Sequence, residues 1–279
     1  MTCWRSFRSS AVVDRGLIKF LRDRERDGCL SLAAGREAAK RFNLKLQRVE
    51  EAGLGLGLMP ERFRRNRPFL SCFDQLELLR STVAVIGCGG LGGYVLEELA
   101  RAGVGTLLAM DPDRYEEHNL NRQLQADAGV LGRPKVEVIG RRLARINPAL
   151  EFIPLQRRFS RPEPPLDRAR VIVDALDNIG DRKTAASACR QLRIPMVHGA
   201  VEGWYGQVAV LQPDRDAFAQ LYPRNREKQA SGVLSFTVAA VASLQAAATV
   251  TLLLGRDSPL ATHCLTLDLL NGEYEKIPL

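Results

Sequence analysis

From residue 82 onward the chain alternates short apolar runs with longer amphipathic stretches, the rhythm of strands and helices taken in turn. Apolar runs at 83–86, 106–110, 151–154, 170–173, 194–197 and 208–211 predict strands. Helical spacing predicts helices over 94–102, from 135 to about 145, over 181–192 and over 233–254. A final β-pair is predicted at 264–270 and 273–276. Strands separated by helices predict an α/β fold, Rossmann-like and doubly wound, with a mainly parallel sheet. Ahead of it the pattern changes. Residues 14–27, 31 to about 48 and 50–59 read as three short helices, a small helical module over 1–60, leaving 61–279 as the larger domain.

The first strand runs into a glycine cluster, Gly87, Gly89, Gly90, Gly92 and Gly93, and a helix starts there. Glycine lets a phosphate come close to the backbone, and a helix N-terminus offers free N–H groups and a positive dipole end. The second strand ends on Asp111, about 20 residues past the glycines, where a carboxylate can hold ribose hydroxyls. The glycines alone would suit a nicotinamide dinucleotide. Downstream, however, come Asp113, then Asn119-Leu120-Asn121-Arg122-Gln123, then Leu131-Gly132-Arg133-Pro134-Lys135. A dinucleotide has little use for that arginine and lysine, whereas a triphosphate needs cationic donors around the attacked phosphorus. Asp177, past the strand at 170–173, falls at a carboxyl end near the glycines. It reads either as a Mg²⁺ ligand beside the phosphates or as a cap on the helix from Asp181.

Charge sharpens the division. The net charge is +8, and residues 1–80 carry 17 Lys/Arg against 10 Asp/Glu. That leaves residues 81–279, with 23 Lys/Arg against 22 Asp/Glu, close to neutral. The basic segment reads as a solvated helical face or as a docking surface for an acidic partner. Nucleic acid is disfavoured, because no aromatic residues interleave the basic ones. Six cysteines without a C-x-x-C pair argue against zinc and disulfides and suit a reducing cytoplasm. No signal peptide is expected in residues 1–10, and the 233–254 run, broken by serines, threonines and Gln245, reads as a core or interface helix rather than a membrane span. Taken alone, Arg62-Phe63-Arg64-Arg65 is a solvated linker, His198 a loop residue and Cys189 a buried core thiol.

The combination GCGGLGG, DPD, NLNRQ, LGRPK, INP, DALDN, GWYGQV and GVLSFTVAAVASLQA resembles the ThiF/MoeB/HesA adenylyltransferases of the ubiquitin-activating superfamily, over roughly residues 61–275. The resemblance implies a homodimer that binds ATP and Mg²⁺. It would join AMP to the C-terminal Gly-Gly carboxylate of a small ubiquitin-like sulfur carrier. Gly87, Gly89, Gly90 and Gly92 would line the nucleotide, with Asp111 on the ribose. Asp113 and Asn119 would support the same site. Asn121, Arg122, Gln123 and Lys135 would bind phosphates, and Asp177, beside Asn178, would ligate Mg²⁺. Arg65 would reach into the partner subunit's site. Two departures qualify the likeness. The stretch 217–223 lacks the zinc-binding cysteines of many relatives, so no zinc is expected. Residues 227–231 lack the cysteine that would capture the carrier covalently. The alternatives are a dehydratase of a tRNA base (threonylcarbamoyladenosine), a nicotinamide-dependent oxidoreductase and a carrier-binding scaffold without catalysis.

Overall fold

The computed structural model describes residues 14–162, 164–222 and 232–279. Its contacts fall into two compact units, one ending at Leu76 and the other running from Glu77 to Leu279.

In the first unit, α1 (Arg15–Asp23) is capped by Asp14 and buries Leu17, Phe20 and Leu21. A two-residue strand, β1 (Cys29–Leu30), precedes α2 (Leu32–Arg41), whose first turn is capped by Ser31 accepting from the Ala34 N–H. The single helix expected over 31–48 is broken in two. Asn43 takes a left-handed backbone (φ 52°), and the Leu44 N–H returns to the Ala39 carbonyl, which ends α2 in a Schellman-type turn. A new helix, α3 (Leu46–Gly55), follows, then β2 (Met59–Pro60), parallel to β1, and a 3-10 turn over Glu61–Asn66. The apolar stripe of α1 packs against Ala34, Ala38 and Val49, which gives this unit its own small core. Helix α4 (Cys72–Arg80) leads out of it.

The second unit is the expected α/β sheet. Its elements are β3 (Thr82–Ile86), α5 (Gly90–Ala102), β4 (Thr106–Met110), α6 (Lys135–Ile146), β5 (Glu151–Leu155), β6 (Val171–Asp174), α7 (Ile179–Leu192), β7 (Met196–Glu202), β8 (Tyr205–Leu211), α8 (Ala217–Leu221), α9 (Ser235–Leu253), β9 (His263–Asp268) and β10 (Glu273–Pro278). The eight strands lie in the order β10-β9-β8-β7-β6-β3-β4-β5. Strands β5, β4, β3, β6 and β7 are parallel, and β8 to β10 complete the sheet antiparallel. The central strands β3, β4 and β6 are apolar and buried almost throughout, as strands covered on both faces must be. Successive strands leave β3 in opposite directions, β4 to one side and β6 to the other. The carboxyl end of β3 is therefore the switch point where an open α/β sheet collects ligands.

Strand β7 runs past the end expected at residue 197, through His198 and Gly199, to a tight hairpin at Gly203. Gly199 permits this, since a Cβ there would meet the Gln245 amide of α9. Helix α9 is long and apolar enough to cross a membrane. Half of its apolar stretch, however, is buried, against α5, β7 and β8.

Candidate active site

The site begins where β3 stops. Gly87 holds a φ of 95°, open to glycine and strained for any other residue, and its N–H bonds the Met110 carbonyl of β4. A Cβ on Gly87 would meet the Ala175 carbonyl beyond β6, and one on Gly92 would overlap the Gly87 carbonyl oxygen. The turn is thus pressed against both neighbouring strands, and α5 starts at Gly90 with Gly89 as its N-cap. Its first amides face out of the helix end, where they suit an anion.

Asp111 secures this turn from β4. Its Oδ2 accepts the Cys88 N–H at 2.7 Å and its Oδ1 the Asp113 N–H at 2.8 Å. Asp113 then bonds Lys135, whose Nζ lies 3.1 Å from Asp113 Oδ2. The lysine side chain is 7% exposed and the aspartate 62%. From the 117–123 segment, Gln123 brings its amide to Gly89, and the Arg122 stem lies against Gly90. The Arg122 guanidinium donates to the His118 carbonyl and to Asn121 Oδ1, and Asn121 donates to the Val233 carbonyl. Asn119 is buried, its side chain accepting the Glu116 N–H in a local turn. Gln123 Oε1 is buried and, among the described residues, finds no partner, an acceptor left open beside the glycines.

Opposite, the 174–178 turn carries Asp177. The helix cap is supplied by Asn178, whose Oδ1 accepts the Asp181 N–H at 2.8 Å. Asp177 is exposed and, among the described residues, bonded only to the Asn178 amide, at 3.3 Å, so the capping alternative for this carboxylate falls away. The lone oxygen-rich carboxylate fits Mg²⁺, which is usually held by one or two carboxylates together with substrate phosphates. Arg65 belongs to the other unit. It is exposed on the 3-10 turn and, among the described residues, has no ion-pair partner, whereas Arg62 is held by Glu50 and Arg64 by Glu61 and Asp27.

Sequence reasoning missed a buried polar cluster behind Asp177. His198 Nδ1 donates to Asp174 Oδ2 at 2.7 Å, and the far ring nitrogen lies 3.2 Å from the Tyr222 hydroxyl and 3.1 Å from Gln207. Arg182 donates to that hydroxyl and to the Leu176 carbonyl, and Gln245 donates to the Asp174 carbonyl. Two signals were present: Gln245 is an amide deep in a charge-free helix, and His198 directly follows an apolar strand run.

Among the described residues the cysteines offer no activated nucleophile. The five described are free thiols, and burial raises each of them: Cys88 well above its ordinary range, with Asp111 adding to the effect, and Cys189 to about 12. Among the described residues no three His, Cys, Asp or Glu side chains gather as a metal-binding group. Pro223 and the cysteine-free stretch 227–231 lie outside the described residues.

Comparison with known proteins bears on the same region. The ThiS adenylyltransferase of Escherichia coli, a sulfur carrier protein adenylyltransferase, is 35% identical over 193 residues, 66% of this chain and 77% of its own length. The tRNA threonylcarbamoyladenosine dehydratase of Bacillus subtilis is 36% identical over 142 residues, 50% of this chain and 56% of its own. Among solved structures, E. coli MccB with ATP shares the fold at a TM-score of 0.65 and 19% identity, over 78% of this chain and 71% of MccB. The ThiF family model matches residues 63–279, and the chain belongs to the ThiF family.

Proposed function

We propose that this chain is an ATP-dependent adenylyltransferase that activates the C-terminal Gly-Gly carboxylate of a small ubiquitin-like sulfur carrier. The observation that carries the reading is a nearly buried lysine, Lys135, bonded to Asp113 and so linked through Asp111 to the glycine turn with its open helix N-terminus, where the Arg122 stem lies against Gly90. Such an arrangement suits a substrate of high negative charge. The E. coli relative is named for this activity on ThiS, and its match spans more of both chains than that of the tRNA dehydratase.

The chemistry asks little of the protein beyond placement. The carrier carboxylate is already ionised, so no general base is required. One of its oxygens bonds to the α-phosphorus of ATP while the bond from that phosphorus to the β-phosphate oxygen breaks. The products are an acyl-adenylate and pyrophosphate. Charge builds on the phosphoryl oxygens during the exchange, and fixed cations near them lower the barrier.

Lys135, Arg122, Asn121 and Gln123 supply those donors. Gly87, Gly89, Gly90 and Gly92 admit the phosphates. Asp111 keeps a further lone pair on each oxygen for ribose hydroxyls, and Asp113 holds Lys135 in place with Asn119 bracing the neighbouring turn. Asp177, beside Asn178, would hold Mg²⁺, which supplies charge neutralisation at the phosphates when bound.

The catalytic domain in this reading is residues 61–279, and the enzyme is a homodimer in which Arg65 serves the partner subunit's site. The charge-free outer face of α9, with Phe236, Ala240, Ser243, Leu244 and Ala247, is a fitting contact between copies. ATP, Mg²⁺ and free thiols suit a cytoplasmic enzyme.

The test is ATP–pyrophosphate exchange with candidate carriers ending in Gly-Gly, with modified tRNA and with NAD(H). Exchange that depends on a carrier supports the proposal. Turnover only with tRNA favours the dehydratase, a spectral change of NADH the oxidoreductase, and carrier binding without exchange a scaffold.

A further inference from the structure

The cluster behind Asp177 has a direction. Arg182 sends Nε and Nη2 to the Leu176 carbonyl at 3.1 and 2.5 Å, a forked contact that fixes the plane of the peptide joining Leu176 to Asp177. The N–H of Leu176 is held separately, by Asp174 Oδ1 at 3.0 Å, and the Ala175 N–H by the Ile86 carbonyl at 2.9 Å. On the far side, Asn178 is tied to the start of α7. The Ala175 and Leu176 N–H groups and the Asp174 and Leu176 carbonyls therefore each have a fixed partner, while the Asp177 side chain is exposed to solvent.

Arg182 is itself held. Its remaining Nη1 donates to the Tyr222 hydroxyl at 2.6 Å, which leaves the hydroxyl proton to reach His198 Nε2. The other ring nitrogen of His198 donates to Asp174. The chain of donors closes on the residue that begins the turn, with Arg182 Nε 3.9 Å from Asp174 Oδ2. The Arg182 guanidinium bonds the Leu176 carbonyl and the Tyr222 hydroxyl, so the cation is spent on backbone geometry rather than on phosphate.

We propose that Arg182, locked by Tyr222, is a positioning residue that sets the Leu176–Asp177 peptide and so the direction in which Asp177 presents its carboxylate to a metal. The inference rests on the metal-holding role given to Asp177 above. Its consequence is that metal affinity in the nucleotide complex is governed from α7 and from the end of α8, by groups that never touch metal or nucleotide.

Two readouts test it. The first is hydrogen–deuterium exchange of amides 175–178 in the free protein. The second is Mn²⁺ binding, followed by electron paramagnetic resonance, in the presence of a non-hydrolysable ATP analogue. Tyr222→Phe, which removes one hydroxyl, should raise exchange in this turn and weaken Mn²⁺ binding by about five- to tenfold each, and Arg182→Lys should do more. Leu253→Ala, a core truncation at the far end of α9, should lower the unfolding temperature and move neither readout. Wild-type exchange and Mn²⁺ affinity in Tyr222→Phe and Arg182→Lys would overturn the proposal. Should the wild-type protein bind no Mn²⁺ with nucleotide, the adenylylation reading fails, and exchange at 175–178 decides the positioning role by itself.

Discussion

Lys135 Nζ reaches Asp113 Oδ2 at 3.1 Å, and the Lys135 N–H bonds the Asp113 carbonyl at 3.0 Å, so one aspartate holds this lysine by both ends. The lysine is the first residue of α6, where the helix dipole disfavours a cation. Asp113 offsets that cost, and a bound triphosphate would do so further. Lys135→Ala should reduce pyrophosphate exchange by roughly 10²–10³-fold, the usual effect of losing one preorganised donor. Arg122→Ala should behave similarly, with an unchanged unfolding temperature because its guanidinium bonds only local groups. Near-normal exchange in either variant would remove that residue from the chemistry.

The glycines of the turn are not equivalent. A methyl group on Gly92 would overlap the Gly87 carbonyl and crowd the Ala175 side chain, whereas one on Gly180, in the first turn of α7, meets nothing closer than Asn178 Oδ1 at 3.6 Å. Gly92→Ala should cost about 1–3 kcal/mol in stability and abolish nucleotide binding. Gly180→Ala should leave binding intact and gain up to about 1 kcal/mol. Thermal melts with and without ATP separate the two outcomes.

Local features of this fold could be seen in the sequence, and long-range ones could not. The strand, glycine turn and helix at 82–102, together with Asp111, are encoded in consecutive residues, so periodicity and glycine spacing revealed them. The break between α2 and α3 hung on a single left-handed Asn43, and asparagine is a much weaker terminator than glycine. The cap on α7 went to Asn178 rather than its neighbour Asp177, a choice of one residue made by backbone direction. The polar cluster was hidden for a different reason. Arg182 and Tyr222 are 40 residues apart, and Asp174 and His198 are 24 apart, joined only when β6 and β7 pair.

Arg65 is exposed on its 3-10 turn, with no ion pair among the described residues to spend its charge on. If it serves the partner subunit, Arg65→Ala and Asp177→Asn disable different halves of a composite site. Each variant alone should lose nearly all exchange activity while keeping its wild-type unfolding temperature. After mixing and re-pairing, half of the dimers are mixed and half of their sites are intact, so activity should return to about one quarter of wild type. No recovery, with subunit exchange verified, would place Arg65 in its own subunit's site or outside the chemistry.

His198 makes stability depend on pH with a definite sign. The ring is fully buried, facing Asp174, Arg182, Tyr222 and Gln207. Burial pulls its pKa below the ordinary 6.5, and that effect outweighs the bond to Asp174, which pulls the other way. The neutral ring fits its partners: Nδ1–H donates to Asp174 and Nε2 accepts from Tyr222. In the unfolded chain the same imidazole gains its proton near pH 6.5, before the folded protein does. Stability from this residue is therefore complete above pH 6.5 and declines as the pH falls toward the depressed folded value. His198→Asn should cost about 1–3 kcal/mol at pH 8, from hydrogen bonds left unmade in the interior. It should also flatten the fall in unfolding temperature between pH 6.5 and 5 relative to wild type. Parallel curves for the two proteins across that window would mean that the buried imidazole takes its proton as readily when folded as when unfolded.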